Sequence, residues 1–375
     1  MTTDTTDQSL LRRYSAIVGL CLTFFFLSNK LALADMAQPS DTAAFLTRVD
    51  TFRQENQIPG LSIAIVKDKS VLLAAGLGWA DIEQQIAATA NTPYNVASVT
   101  KPISAVAVMK LVEQELIELD RPVAQYSQWQ SFCTSFSQQP SIFARELVCD
   151  PANHTLRHLL SHTAGGAVGS YFSYNPVVYS WASRPVMAVA QEPFSRLVSE
   201  IVLVPAGMSD SARQHRDLAL REDLARRLAP PHRIAETGKI VRADAPPAQG
   251  DGAAGGIIAT VLDLARFDIA LDRGELITAN SREVMMQPTL LQDGQSAPYG
   301  LGWYVQEYQG TKLVWHAGWW ENAYSALYLK IPSLDLSLIA LANSEGIHWG
   351  NPLDRAEVQN SALASIFLTT FLPIE

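Results

Sequence analysis

The sequence lacks any concentration of basic residues, and it contains no internal repeat or low-complexity tract. Lys and Arg number 28 against 37 Asp and Glu, which gives a formal net charge of −9 at pH 7. This distribution argues against nucleic acid as a partner, because neutralising phosphates requires a concentrated basic face. With 375 residues and 48% hydrophobic residues, the chain can instead bury one large core or two interlocked ones.

Two common catalytic patterns are also missing. The sequence has no Gly-x-Ser-x-Gly elbow and no His-Glu-x-x-His pattern. His154, His158 and His162 are spaced by four and could line one face of a continuous helix, as metal ligands do. Thr155, however, is expected to be the helix N-cap, which would leave His154 outside. We therefore expect neither a metal nor an organic cofactor.

The N-terminus reads as a targeting segment. Arg12 and Arg13 precede an apolar stretch over residues 14–27, and residues 32–34 (Ala-Leu-Ala) form a small-x-small cleavage site. The apolar stretch is shorter than the about 20 residues of a membrane-spanning helix. We predict a signal peptide over residues 1–34 and a periplasmic or secreted protein over residues 35–375. An uncleaved N-terminal anchor is the alternative, and the only expected link to a membrane.

Removing this segment leaves two of the three cysteines, Cys133 and Cys149. In an oxidising compartment, an even pair at modest separation suggests a disulfide. The bridge would close the polar insert over residues 128–150 and have a structural role. Two unrelated buried thiols are the alternative.

Strand patterns lie towards both ends of the chain and helical patterns lie between them. The order predicts an α/β (α+β) fold, in which an antiparallel sheet is built from residues of about 40–95 and 290–375 and is flanked by helices. An all-helical subdomain is expected as an insertion over about residues 110–280. The predicted strands are Leu61–Val66, Val71–Ala75, Gly302–Tyr308, Lys312–His316, Tyr324–Ile331 and Leu336–Leu341. The predicted helices are Thr42–Glu55, Thr155–Ser161, Phe194–Val204, Thr260–Arg273, Ser281–Gln287 and Ala362–Phe371.

Ser98 and Lys101 form a Ser-x-x-Lys pattern at the start of a further predicted helix. Residues three apart lie on one face of a helix, so an amine is placed beside a hydroxyl. That arrangement can turn the weak serine nucleophile into a reactive one, provided that burial or a nearby cation lowers the lysine pKa. The alternatives are an N-cap serine and a solvated helix lysine.

The segment from Tyr94 to Leu119 resembles the nucleophile helix of serine β-lactamases and penicillin-binding proteins. It is more similar to the class C β-lactamase, D-Ala-D-Ala carboxypeptidase and esterase branch of that superfamily. Further strings support the resemblance in the expected order over roughly residues 45–345, among them those at 205–208, 255–260 and 299–303. The resemblance implies a β-lactamase/transpeptidase-like fold and catalysis through an acyl-enzyme.

We interpret residues 159–165 as part of a structural helix. The resemblance also implies a Tyr-x-Asn element after these residues. Tyr174 is the candidate for the proton-transferring tyrosine. Pro176 then stands where the family has an Asn that contacts the amide side chain of the substrate. The shifted pattern Ser173-x-Asn175 remains open, as does a loop in which these aromatic residues merely pack.

A third element lies at residues 315–319, Trp-His-Ala-Gly-Trp. A glycine within a strand often marks a close approach to the backbone, although a strand His beside Gly is by itself more often structural. By resemblance, the pattern His316-x-Gly318 takes the place of the Lys-Thr-Gly motif of typical β-lactamases. His316 would then border the pocket and position or protonate the substrate. The backbone N–H of Trp319 would join that of Ser98 in an oxyanion hole.

Taken together, these patterns predict an exported serine hydrolase that forms an acyl-enzyme. The substrate would be a small ester, amide or β-lactam, or a cell-wall peptide. The His-x-Gly element and the missing Asn favour an ester or peptide over efficient β-lactam hydrolysis. Two alternatives remain: a D-Ala-D-Ala carboxypeptidase, and a non-catalytic receptor that keeps the fold and binds without turnover.

Overall fold

The structure, a computed structural model, describes residues 39–126, 128–144, 147–150 and 152–372. The chain divides into two units, residues 1–46 and 47–375. The described part of the first unit, residues 39–46, is helical. The predicted signal peptide lies outside the described residues. Within the four described ranges, no helix combines the length and the apolar character that crossing a membrane requires.

The second unit contains a seven-stranded antiparallel sheet with the strand order β3-β2-β1-β12-β11-β10-β9. Two smaller sheets have the orders β4-β8-β5 and β6-β7. In chain order, the strands are β1 Gly60–Lys67, β2 Ser70–Asp81, β3 Ile86–Ala87, β4 Tyr94–Asn95, β5 Ala212–Arg213, β6 His232–Ile234, β7 Ile240–Arg242, β8 Ile257–Ala259, β9 Tyr304–Tyr308, β10 Thr311–Trp320, β11 Tyr324–Ile331 and β12 Leu336–Ala342.

Strands β1 and β12 join the two ends of the domain. They pair antiparallel, with Leu61 opposite Ala342 and Lys67 opposite Leu336. Nearly every side chain of both strands is buried. The helix Val261–Asp272 packs against both strands on one side of the sheet. Continuous apolar runs such as these are typical of strands that are covered on both faces. The prediction of a helix-flanked antiparallel sheet built from both ends is confirmed.

The helix Thr100–Glu113 lies in the core. Every side chain from Thr100 to Met109 is buried, as expected of a helix that is apolar on all sides. Lys101 is therefore carried inside the protein, and Pro102 stands in the first turn, where its missing N–H costs no hydrogen bond. The other α-helices are Pro39–Glu55, Trp129–Ser137, Leu156–Leu160, Pro176–Ser180, Ser183–Ala190, Phe194–Val198, Glu222–Ala225, Val261–Asp272, Ala279–Met285 and Ala362–Phe371.

The insertion over residues 110–280 differs from the prediction in that it also contains strands. β6 and β7 form a hairpin, and β5 and β8 form a small sheet with β4. In that sheet Tyr94 lies opposite Ala259, and the Val96 N–H donates to the carbonyl of Ile257 at 3.1 Å. These strands have only two or three residues, too few for the alternation that marks a strand in a sequence.

Cys133 and Cys149 are joined by a disulfide bond with 5.6 Å between their Cα atoms. The bridge starts within the helix Trp129–Ser137 and closes the segment over residues 133–149. Phe132, in that helix, stacks on Trp181 with ring centroids 3.6 Å apart. The helix that carries Cys133 is thus packed through Phe132 against the helical region that follows Tyr174.

We expect replacement of both cysteines, Cys133→Ser with Cys149→Ser, to lower the free energy of unfolding by about 3 kcal/mol, because the unfolded chain then regains the freedom that a loop of about 15 residues loses on closure. Urea unfolding followed by tryptophan fluorescence measures the difference. Wild type treated with a reductant is the control and should match the double variant. Equal stability of the double variant and the untreated protein would contradict a structural role for the bridge.

Candidate active site

Ser98 lies in a single 3₁₀ turn, Ala97–Val99, directly before the helix that carries Lys101. Lys101 Nζ donates a hydrogen bond to Ser98 Oγ at 2.7 Å and a longer one to the carbonyl of Ala254 at 3.3 Å. The N-cap position of this helix is taken by Val99, without a side-chain cap. The Ser98 hydroxyl is therefore directed at the lysine and has no capping role.

Lys101 is completely buried. Burial lowers the pKa of its ammonium well below the ordinary value, and no neighbouring charge contributes to this shift. A buried cation without a carboxylate partner is costly, so the protein favours the neutral amine. The neutral amine can accept a proton, and in that state the 2.7 Å contact can be reversed so that the Ser98 hydroxyl donates.

The backbone just before Ser98 is strained. Ala97 has φ 48°, in the left-handed region that residues other than glycine rarely occupy. The strain is held in place because the Ala97 N–H donates to Asn95 Oδ1 at 2.9 Å and the preceding residues belong to the small sheet of β4 and β8. Such strain costs about 1–3 kcal/mol and persists only where its surroundings enforce it. It fixes the direction in which the Ser98 side chain leaves the backbone.

Tyr174 completes a cluster with these two residues. Burial raises the pKa of Tyr174, and a hydrogen bond with the Ser98 hydroxyl opposes that rise. Lys101 Nζ lies 4.9 Å from the centroid of the Tyr174 ring. Since the phenol stays protonated near neutral pH, it can donate a hydrogen bond or a proton. The structure thus brings together the three residues that the sequence selected as catalytic.

Asn175 has a local structural role. It caps the helix Pro176–Ser180, where its Oδ1 accepts from the Val178 N–H at 3.1 Å, and its Nδ2 donates to the carbonyl of Phe143 at 2.6 Å. Both ends of the amide are used, so the shifted pattern Ser173-x-Asn175 has no amide to offer a substrate. Pro176 lines the cavity described below, at the position where the resemblance leads us to expect an Asn.

His162 is a site residue that the sequence analysis considered only as part of a structural helix or as a metal ligand. It lies beyond the end of the helix Leu156–Leu160, with φ 58°. Its carbonyl accepts from the Ser173 N–H at 2.8 Å, and its Nδ1 accepts from the Asn175 N–H at 3.0 Å. Burial lowers the pKa of His162 well below its ordinary value, so the ring is neutral. His162 therefore holds the backbone on both sides of Tyr174.

The three histidines spaced by four do not share a helix face. The ring nitrogens of His154 contact two backbone carbonyls at 2.7 and 3.0 Å, and His158 forms a capping box with Thr155. His162 serves the tyrosine loop. In the described ranges, no group of three or more His, Cys, Asp or Glu residues is arranged to hold a metal ion.

His316 occupies a position different from the expected one. It is buried, with Nε2 at 2.9 Å from the Tyr299 hydroxyl and Nδ1 at 2.7 Å from the carbonyl of Ala317. Its ring centroid lies 6.1 Å from that of Tyr174, but His316 does not line the cavity. Tyrosine rings packed around it cover the imidazole. The expectation that His316 borders the pocket is therefore corrected: it is buried among tyrosine rings and is not a lining residue.

Gly318 allows β10 to approach the Ser98 turn. A Cβ atom at this position would lie 2.3 Å from the carbonyl oxygen of Val96 and 3.2 Å from Ala97 Cβ. Strand β9 pairs with β10 only as far as Trp315. Beyond that residue, β10 lies against the turn that carries Ser98. The close contact explains why the strand has a glycine here.

A cavity of about 670 Å³ opens beside Ser98. Trp319 is one of its lining residues, and among those that the structure describes only Gln249 has a side-chain amide. The half-buried Ser98 side chain is the part of the cluster that reaches it. The other lining residues are Ala97, Phe143, Pro176, Val177, Ser180, Trp181, Arg184, Arg216, Pro247, Ala248, Gly250, Gly252, Ala254, Gly255 and Trp320.

Comparison with known proteins identifies the family of this chain. The Beta-lactamase family model matches residues 45–362. The chain belongs to the Beta-lactamase family. Membership in this family, with penicillin-binding proteins and a D-aminopeptidase among its relatives, identifies a serine hydrolase in the general sense. The family and the fold expected from the sequence are thus confirmed.

The curated relatives are distant. A penicillin-binding protein of Bacillus subtilis (strain 168) is 23% identical over 346 residues, which cover 80% of this chain and 71% of that protein. The D-aminopeptidase of Brucella anthropi is 26% identical over 300 residues, which cover 74% of this chain but only 55% of that enzyme. The chain therefore spans little more than half the length of the second relative.

Solved structures support the fold alone. The octameric penicillin-binding protein homologue from Pyrococcus abyssi superposes with a TM-score of 0.71 at 22% identity, over 88% of this chain and 77% of that chain. The D-amino acid amidase from Ochrobactrum anthropi SV3, solved with L-phenylalanine amide, gives a TM-score of 0.67 at 17% identity, over 88% of this chain and 97% of that chain.

We expect Gly318→Ala to reduce kcat/KM for a p-nitrophenyl ester about 100-fold, because the new methyl group pushes β10 away from the Ser98 turn and a shift of about 1 Å is enough to misalign reacting groups. The melting temperature should fall as well. Gly250→Ala is the control for folding, since a Cβ there meets open space, and it should melt as wild type does. Unchanged activity in Gly318→Ala would show that the close approach is not needed.

Proposed function

We propose that this chain is an exported serine hydrolase that acts through an acyl-enzyme on a small ester or amide. Ser98 is the nucleophile, Lys101 is the base and Tyr174 assists proton transfer. The observation that carries the proposal is the 2.7 Å contact between Ser98 Oγ and Lys101 Nζ. That contact is made by a lysine whose complete burial favours the neutral form.

In the first step, Ser98 Oγ attacks the acyl carbon while the hydroxyl proton moves to Lys101 Nζ. The new C–O bond places negative charge on the carbonyl oxygen, which the backbone N–H groups of Ser98 and Trp319 stabilise. When this intermediate collapses, the bond to the leaving group breaks. The leaving group takes its proton from the Tyr174 hydroxyl, which recovers one from the Lys101 ammonium.

In the second step, a water molecule takes the place of the leaving group. It gives a proton to the restored base, attacks the ester carbonyl of the acyl-enzyme and releases the acid with regeneration of Ser98. Dividing the reaction into two steps lowers each barrier. A non-catalytic receptor would gain nothing from an uncompensated buried lysine beside its serine, so the electrostatics favour turnover.

An ester or amide substrate is favoured over a β-lactam. Pro176 presents no amide at its place in the cavity wall, and the amide of Asn175 is used within the protein. The related B. anthropi protein is named a D-aminopeptidase and the related O. anthropi structure a D-amino acid amidase. A D-amino-acid amide or peptide therefore belongs among the substrates to be tested, beside a simple ester.

We expect turnover of a p-nitrophenyl ester, a D-Ala-D-Ala peptide and a chromogenic cephalosporin to decrease in that order, because the cavity lacks an amide donor at Pro176. In Ser98→Ala, hydrolysis should fall to background for each compound that wild type hydrolyses. Mass spectrometry of the quenched reaction should find the acyl group on the peptide that contains Ser98. Ser70→Ala, an exposed serine, is the matched control.

Two results would count against the proposal. Full activity in Ser98→Ala would show that Ser98 is not the nucleophile. A wild-type protein that binds the ester without a burst of p-nitrophenol would be a receptor. If the cephalosporin is instead the best substrate, the assignment of Ser98 as the nucleophile is unaffected, but the proposed preference for an ester or amide is wrong.

A pH profile tests the base. Because only neutral Lys101 accepts a proton, kcat/KM should rise with pH through its lowered pKa and reach a plateau well below the ordinary lysine pKa; Tyr174, whose pKa is raised, should not limit the plateau. In Lys101→Arg, whose guanidinium stays protonated, kcat/KM should be about 10³-fold lower at every pH. Lys110→Arg, on the same helix, is the control. Activity that falls as pH rises through this range would refute a neutral base.

A further inference from the structure

The cavity beside Ser98 has an uneven distribution of charge. Among the described residues that line it are two arginines, Arg184 and Arg216, and no Asp or Glu. The protein as a whole is acidic, with a net charge of −9. A cavity that is positive in an acidic protein is a local feature, and global composition does not account for it.

The two arginines differ from their neighbours in what they contact. Between residues 184 and 227 the chain has seven arginines, and five of them lie within 4 Å of a carboxylate oxygen. Those five are Arg196, Arg213, Arg221, Arg226 and Arg227. The two that line the cavity form no ion pair with the described residues. Two guanidinium groups are thus available to a ligand.

The two arginines reach the cavity from different segments of the chain, the helix Ser183–Ala190 and the residues after β5. Arg184 follows Trp181, whose ring centroid is 5.7 Å from its guanidinium carbon, and its one polar contact is a 4.0 Å approach to Met187 Sδ. Arg216 is joined to the segment 247–250, which also lines the cavity, since its backbone N–H donates to the carbonyl of Gln249 at 2.7 Å. Both arginines are exposed.

The surrounding charges reinforce this asymmetry. Arg213 lies buried below the same loop, where it donates to the carbonyl of the lining residue Gly252 at 2.7 Å, and Asp251 is its partner at 3.4 Å. Glu345 accepts from the indole N–H of Trp319 at 3.1 Å, but its side chain is not part of the lining. In the part of the chain that the structure describes, no carboxylate side chain therefore lines the cavity.

We infer that the substrate of this hydrolase carries a carboxylate, or an equivalent anionic group, which Arg184 and Arg216 bind while Ser98 attacks the acyl carbon. A guanidinium offers paired N–H donors that match a carboxylate. Phe143, Trp181 and Trp320 also line the cavity and provide apolar surface for the rest of the substrate. This inference rests on the proposed function, because it places the anion relative to the reacting serine.

Two ester series test the charge and show on which side of the scissile bond it lies. In the first, the p-nitrophenyl monoester of adipic acid is compared with its isosteric monoamide and with the 6-aminohexanoate ester, so that the acyl group is anionic, neutral or cationic. In the second, 4-acetoxybenzoate is compared with 4-acetoxybenzamide, so that the charge lies on the leaving group. Each rate is divided by the uncatalysed rate to remove differences in leaving-group reactivity.

In at least one series, wild type should hydrolyse the anionic ester with the highest kcat/KM. Arg184→Gln combined with Arg216→Gln should lower that value about tenfold, and each single variant should give an intermediate value. The kcat/KM for the neutral ester should change by less than about twofold. The preference for the anion should shrink as salt is raised from about 0.05 M to about 0.5 M, because the site is open to screening. Arg233→Gln, an exposed arginine on β6 outside the cavity, is the matched control.

Absence of a charge preference from both series, or a preference that survives in the double variant, would overturn the inference. Either result leaves the proposed function intact as long as the neutral ester is hydrolysed in a manner that depends on Ser98. If no ester is turned over at all, the proposed function itself fails. Since both arginines are exposed, the variants should melt as wild type does, and this is checked before the rates are compared.

Discussion

The burial of one amine determines the chemistry that this protein can perform. Lys101 lies in the first turn of a helix whose side chains are buried on all sides, so its Nζ atom is surrounded by protein. Its hydrogen bonds go to a serine hydroxyl and to a backbone carbonyl, neither of which compensates a full charge. The remaining features of the site either keep water from this amine or hold Ser98 against it.

Two close backbone contacts hold the parts of the site together. Gly318 lets strand β10 reach the turn before Ser98, and Gly302, with φ 85°, lets the segment before β9 approach the helix of Lys101. A Cβ atom on Gly302 would lie 3.1 Å from the carbonyl oxygen of Lys101 and 3.0 Å from the Tyr179 hydroxyl. The sheet and the central helix are therefore in close contact at the residues where the chemistry is proposed. A methyl group at Gly318 would push β10 away from the turn that carries Ser98.

Much of this arrangement could be predicted from the sequence, because its signals are local. The Ser98–Lys101 spacing places both side chains on one helix face, the long apolar strands identify the sheet, and the helix Ala362–Phe371 was predicted with the bounds observed. Strands of two or three residues escaped prediction because they have no periodicity. The burial of His316 also escaped, since it depends on Tyr299, a residue that the chain brings close only after folding. The same is true of the contact from His162 to the backbone around Tyr174.

The unexpected position of His316 bears on how the base is tuned. A cation next to Lys101 would be a second way to lower its pKa, besides burial. His316 does not act in that way, because burial, and then the proximity of Lys101, lower its own pKa well below the ordinary value and keep it neutral. Tyrosines and neutral imidazoles surround the amine, so desolvation alone favours its unprotonated form. The arginines lie at the cavity instead, where positive charge can act on a ligand without a structural carboxylate to neutralise it. In the proposed reaction, the strength of the base and the preference for an anionic substrate are thus set by separate parts of the molecule, one buried and one exposed to solvent.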